Sequence, residues 1–298
     1  MILSTKTRTG LHSPKRIYVA LASVFYTVWL FSFSTIAIAS HDTYRIGLTP
    51  VFLNDQTSAL KKWQSYLERQ LDAKVEFVQR NTYGEITDLL LGRHLDAAWI
   101  CGFPYVKHKI SLQLMVVPVF EGEPLYQSYL IVPKSDDTTH DITDLKGKVF
   151  AYSDPDSNSG YLVAQVAITT RGFDPKHFFR RAFFTWSHRD VVEAVAIELA
   201  QGGSVDGYVW ETLKTIDPAL TERTRVVTKS KKFGFPPIAT YVGIEPERFD
   251  KLQKAFLSMS SDSEGQQLLQ QLNLDGFIAG DDSLYFDILA AAKSIGKD

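Results

Sequence analysis

The residues of this chain that could do chemistry are suited to holding an anion, not to breaking a bond. In the run Asp154-Pro155-Asp156-Ser157-Asn158-Ser159-Gly160, two hydroxyls and a carboxamide stand where a helix is expected to begin. Free N–H groups and the positive end of the helix dipole there favour an anion without any full cationic charge. Ser157 or Ser159 could equally be a plain N-cap, but the run has more donors than one cap requires. Other groups stand at comparable positions. Tyr83, in Asn81-Thr82-Tyr83-Gly84, can offer a phenol or simply pack. His188, at the start of an expected helix, can donate to an oxyanion or merely cap. Asp206 and Glu211 could receive an ammonium group or a ligand proton, or be a solvated carboxylate and a cap. Of Tyr126 and Tyr129 in LYQSYLIV, one is expected to line a cleft, and Tyr126 is the candidate.

Several chemistries are excluded. Cys101 is the only cysteine, so no internal disulfide or cysteine-rich zinc site can form. It has no histidine base beside it in a recognisable motif and reads as a small buried hydrophobe rather than a nucleophile. The seven histidines show no metal-ligand spacing, and no phosphate loop or dinucleotide fingerprint is present. No catalytic residue, cofactor or metal is expected. Lys plus Arg total 32 against 34 for Asp plus Glu. The first 39 residues carry only Lys6, Arg8, Lys15 and Arg16, so without these four the formal charge falls from -2 to -6. A mildly acidic body with no basic run argues against a nucleic-acid partner.

The elements that must position these residues alternate. Strands are expected at 44–49, 74–78 and 96–100, with helices at 56–71 and 86–94 between them. A second series follows: strand 148–152, helix 159–171, strand 182–186, helix 189–201 and strand 205–210. Each βαβαβ set implies a parallel sheet covered on both faces, hence two α/β lobes. The tail from Glu245 reads as helical with no strand of its own, so the chain is expected to return to the first lobe. Two crossing segments, near 130–134 and 238–243, would then form a hinge. The expected lobes are 40–133 plus 240–298, and 134–239. In such sheets ligands sit beyond the carboxyl ends of the strands, where the candidate residues lie.

Lys15 and Arg16 precede an uncharged stretch, 17–40, that ends in Ala37-Ile38-Ala39-Ser40. This has the form of an export signal over residues 1–39 or, if uncleaved, of a membrane anchor through residues 17–36.

Four blocks together resemble the phosphonate-, phosphite- and phosphate-binding periplasmic proteins of ABC importers. They are DAAWICGFPYV (96–106), DPDSNSGYLV (154–163), His188 with its helix, and GGSVDGYVW (202–210). The resemblance runs from about Tyr44 to about Gly243. It implies the type II periplasmic binding fold, two α/β lobes joined by two crossing strands. It also implies that Ser157, Asn158 and Ser159, with their amides, hold ligand oxygens together with His188 and Tyr83, and Asp206 matches the family's acidic position after the glycine pair and is counted with the ligand-binding residues. The family commonly has threonine where Asn158 stands here, which changes reach and hydrogen bonding. The implied partners are a small anion and an ABC permease, with a sensor or chemoreceptor input module as the alternative. The location is periplasmic, and a protein that opens and closes a cleft is expected to be a monomer.

Overall fold

In the first half of the chain, strands and amphipathic helices alternate as the apolar spacing requires. The computed structural model describes residues 1–5, 10, 43–50 and 57–297, so the segment read as an export signal lies outside the described residues apart from 1–5 and 10. All elements below belong to one compact unit. β1 (Thr43–Leu48) is followed by α1 (Thr57–Leu71), which buries Trp63, Leu67 and Leu71 along one stripe. Next come β2 (Lys74–Gln79), α2 (Tyr83–Leu91), β3 (Ala97–Trp99) and α3 (Gly102–Lys107). β1 pairs in parallel with both β2 and β3, the arrangement that βαβ crossovers produce. Trp63 anchors this core, its ring 6.1 Å from Trp99 and 6.0 Å from Phe256.

β4 (Leu112–Val119), the short β5 (Leu125–Tyr126) and β6 (Ser128–Pro133) lead to the second α/β series. That series comprises β7 (Val149–Tyr152), a π-helical turn Asn158–Leu162 continuing into α4 (Val163–Thr170), β8 (Arg181–Phe184), α5 (His188–Ala196), β9 (Gly202–Asp206) and α6 (Gly207–Ile216). β10 (Thr224–Lys229), β11 (Phe233–Gly234) and β12 (Ile238–Tyr241) carry the chain back. α7 (Pro246–Leu257), α8 (Ser263–Gln271), β13 (Gly276–Ala279) and α9 (Phe286–Ser294) complete it. The strands form a six-stranded sheet in the order β13-β4-β12-β3-β1-β2 and a five-stranded sheet in the order β10-β6-β9-β7-β8. A two-stranded ribbon pairs β5 with β11.

The structure corrects three expectations. The strand expected at 205–210 lies at Gly202–Asp206, and Gly207 opens a helix. The glycines belong in the strand because neighbours pack directly on it: a Cβ on Gly203 would lie 2.6 Å from Val191 of α5, and one on Gly202 2.5 Å from Leu145 of the 3-10 turn Ile142–Leu145. The tail is not wholly helical, since β13 pairs antiparallel with β4. The crossing falls earlier than expected. β6, placed at the end of the first lobe by a boundary at 133, pairs with β9 and β10 in the second sheet, and the β5–β11 ribbon joins the two sheets. Pro124 borders β5, and Pro236-Pro237, which lack N–H donors, end β11. The tail is fastened to the first sheet by Arg248, which lies 2.9 Å from Asp96 and over the Tyr44 ring.

Candidate ligand-binding site

The loops leaving β3, β7, β8 and β9, the start of α2 and the β5–β11 ribbon bring their polar side chains to one buried place. Tyr83, Cys101, Tyr126, Asp154, Ser157, Asn158, Ser159, His188 and Asp206 are all buried there. Local chemistry aims each one. Thr82 and Glu85 form a capping box that starts α2 at Tyr83. Ser157 caps the turn before α4, its Oγ accepting from the Gly160 amide at 2.9 Å. Ser159 stands in the first turn of the π-helical segment, where backbone amides have no acceptor within the helix. Gly160 is required by close approach, because a Cβ there would stand 2.8 Å from Ser153 Cβ and 2.9 Å from His188 Cε1.

The contacts join the candidates into one network. Asn158 Nδ2 donates to the Tyr126 hydroxyl at 2.9 Å, and the Asn158 amide donates to Cys101 Sγ at 3.2 Å. Ser159 Oγ lies 3.4 Å from Asp206 Oδ2, while the Ser159 carbonyl accepts from Ser128 at 2.6 Å and from Ser204 at 2.7 Å. Asp206 also caps α6, accepting from the Tyr208 and Val209 amides. Its own amide donates to His188 Nδ1 at 3.1 Å. A backbone N–H can only donate, so Nδ1 is the unprotonated nitrogen and the neutral ring carries its proton on Nε2. The Tyr83 hydroxyl, with Ser157 beside it, makes no well-formed hydrogen bond although fully buried, and neither does Asn158 Oδ1.

Burial sets the charge state. It lowers the His188 pKa to about 3, raises that of Asp206 to about 7 and pushes the Cys101 thiol up to about 11. Burial likewise raises Tyr83, Tyr126 and Asp154 above their ordinary ranges. Among the described residues no lysine or arginine is buried. The site is therefore a set of neutral donors with two carboxylates whose ionisation is resisted. In such low-dielectric surroundings neutral hydrogen bonds to an anion are strong.

Two sequence alternatives separate here. Tyr126 joins the network, whereas Tyr129 donates to Glu211 at 3.0 Å beside Lys229 and lies apart from it. Glu211 is on α6, away from the cluster, and does not bracket a strand. Three members escaped sequence reasoning as site residues. Asp154 accepts the Tyr83 amide at 3.0 Å from the other sheet's side, Ser153 carries a buried hydroxyl without a partner, and Cys101 is a hydrogen-bonding member and not a bystander. Only the position of 153 and 154 just after a strand could have signalled the first two.

Fold and site together define a two-lobed binding protein, and comparison with known proteins agrees. Residues 46–285 match the family model of the ABC transporter phosphonate periplasmic substrate-binding protein, and the chain belongs to that family. The family consists of binding components of importers, not enzymes. The phosphate-import protein PhnD of Mycolicibacterium smegmatis is 24% identical over 233 residues, covering 72% of this chain and 68% of that protein. The probable ABC transporter phosphite-binding protein PhnD1 of Prochlorococcus marinus is 20% identical over 298 residues, covering 95% and 98% of the two chains. The structure of PhnD1 with methylphosphonate superposes with a TM-score of 0.77 over 86% of this chain and 99% of that one, at 19% identity. A binding component of an ABC phosphonate transporter from Pseudomonas aeruginosa gives 0.79 over 87% and 89%, at 20% identity. The fold is that of type II periplasmic binding proteins.

Proposed function

We propose that this chain captures a tetrahedral phosphorus oxyanion, a phosphonate, phosphite or phosphate, between its two lobes and delivers it to a membrane permease. The observation that carries this reading is the buried, cation-free donor set: Ser157, Asn158 and Ser159 at the start of α4, the His188 Nε2–H and the partnerless Tyr83 hydroxyl. Tyr126 and Asp206 complete the ligand set. The lobes open and close about the β5–β11 ribbon, and the anion shifts the population toward the closed form because it gains Tyr83 only on closure. Once ionised, above about pH 7, Asp206 acts as the filter. A ligand oxygen that still carries a proton can donate to its carboxylate, whereas the unprotonated oxygens of sulfate are repelled. Export by the segment 1–39 and action as a monomer fit the same role, as do the phosphate, phosphite and phosphonate names of the relatives.

A thermal-shift screen tests this directly, because a ligand that binds only the folded state raises the melting temperature by mass action. Phosphate, phosphite or methylphosphonate is expected to raise it, and Ser157→Ala or His188→Asn to abolish the rise. No response to any of the three, with sulfate or a carboxylate active instead, overturns the reading.

A further inference from the structure

We propose that Cys101 is a positioning residue of this site: its sulfur holds the Asn158 amide across the cleft, fixing the turn that presents Ser157 and Ser159 to the anion. This deepens the function proposed above and rests on it. Cys101 follows β3 in the first sheet, and Asn158 opens the π turn of the second, so their 3.2 Å hydrogen bond forms only when the two sheets' loops are together. Cys101 also occupies the N-cap position of α3, where its side chain makes no well-formed cap hydrogen bond; the Phe103 amide and the Tyr126 hydroxyl lie beside the sulfur, and the Asn158 amide is its donor from the opposite lobe.

Two buried polar groups of the same network await a partner: the Tyr83 hydroxyl and Asn158 Oδ1 make no well-formed hydrogen bond. The thiol holds the backbone of that same Asn158. It also redistributes the donors of the turn. The Ser157 N–H is taken by the Asp154 carbonyl, the Asn158 N–H by sulfur and the Gly160 N–H by Ser157 Oγ, which points to the first-turn amide of Ser159 as the one presented to an anion. This differs from the sequence expectation that the amides of 157, 158 and 159 act together. The Ser159 carbonyl is meanwhile held from below by the Ser128 and Ser204 hydroxyls, so both ends of the turn are fixed.

Two measurements on the full folded protein test the proposal. In the first, affinity and dissociation rate are measured for phosphate, phosphite and methylphosphonate with Cys101→Ala and Cys101→Ser. One lost hydrogen bond corresponds to roughly a three- to ten-fold weakening. Cys101→Ala is expected to show that loss mainly as faster dissociation, and Cys101→Ser, which keeps an acceptor, to recover to within about three-fold of wild type. A purely packing role predicts instead that serine is no better than alanine, and that result overturns the proposal.

The second measurement follows alkylation of Cys101 by iodoacetamide. An anion shown by thermal shift to bind is expected to slow alkylation at least about ten-fold, because closure seals the thiol. An unchanged rate with a bound anion contradicts the proposal. A further arm needs no ligand, which separates failure here from failure of the functional reading. Asp154→Ala removes the other cross-cleft acceptor, that of the Tyr83 amide. It is expected to speed alkylation, and an unchanged rate in the folded variant counts against the latch. Should Asp154→Ala not fold, Lys107→Ala, which removes an exposed ion pair to Asp156 across the same cleft, replaces it with the same expected direction.

Discussion

His188 and Asp206 should oppose each other in the pH dependence of stability, and replacing either one should expose the other. His188 is held neutral in the folded state with a pKa of about 3, against an ordinary value of 6.5. Between about pH 4 and 6.5 the unfolded chain binds the extra proton at this residue, so its contribution to stability rises with pH and is lost as pH falls. Asp206 is raised to about 7 from 3.8. In the same window it is the folded state that holds the extra proton, so its contribution is largest at low pH and is lost as pH rises toward 7. Each site contributes a slope of about 1.4 kcal/mol per pH unit, with opposite signs. In the wild type the two slopes cancel. Asp206→Asn keeps an acceptor for the α6 cap, and His188→Asn keeps one for the Asp206 amide, so both variants should fold. From pH 4.5 to 6, Asp206→Asn should gain about 2 kcal/mol relative to wild type and His188→Asn should lose about 2 kcal/mol. Urea denaturation followed by circular dichroism at stepped pH gives these curves, and subtracting the wild-type curve removes the other titrating groups. Shifts of the same sign, or both below about 0.5 kcal/mol, would refute the assigned burial and protonation states.

Other consequences are equally specific. Tyr83→Phe removes a hydroxyl buried without a partner, so the ligand-free protein should gain about 1 kcal/mol in urea denaturation while calorimetry shows anion affinity falling about ten-fold or more; an unchanged affinity would remove Tyr83 from the ligand set. Gly160→Ala places a methyl against Ser153 and His188 and should cost about 2 kcal/mol and abolish the thermal response to phosphorus oxyanions. Arg248→Ala breaks a largely buried pair with Asp96 and should cost about 2–3 kcal/mol without changing anion affinity, since it lies on the far fastening of α7.

What the sequence made legible was local. The stripe of Trp63, Leu67 and Leu71 announces α1, and the S-N-S-G run announces a helix start because capping chemistry acts within three or four residues. His188 and Asp206 were readable as site candidates because each lies beside a strand end. What stayed hidden depends on distant partners. The pairing of β13 with β4 joins residues far apart in the chain, Gly276 with Val119 and Ala279 with Val116, and nothing within Gly276–Ala279 distinguishes a strand from a frayed helix. Gly202-Gly203 looked like punctuation, yet they lie in a strand because Val191 and Leu145 press on them. Cys101 was legible as buried but not as a hydrogen-bond acceptor, since its donor is 57 positions away. Asp154 was read only as part of a turn, and its bond to the Tyr83 amide arises when the two lobes meet.

The most direct test of the central claim is calorimetric titration of the wild type and Asp206→Asn with methylphosphonate, phosphite, phosphate and sulfate at pH 8, where Asp206 is ionised. One phosphorus oxyanion should bind the wild type at least about a hundred-fold more tightly than sulfate, the preference that a repelling carboxylate and a shared proton supply. Asp206→Asn should narrow that gap by admitting sulfate. Equal affinity for sulfate and the phosphorus oxyanions in the wild type would contradict the account.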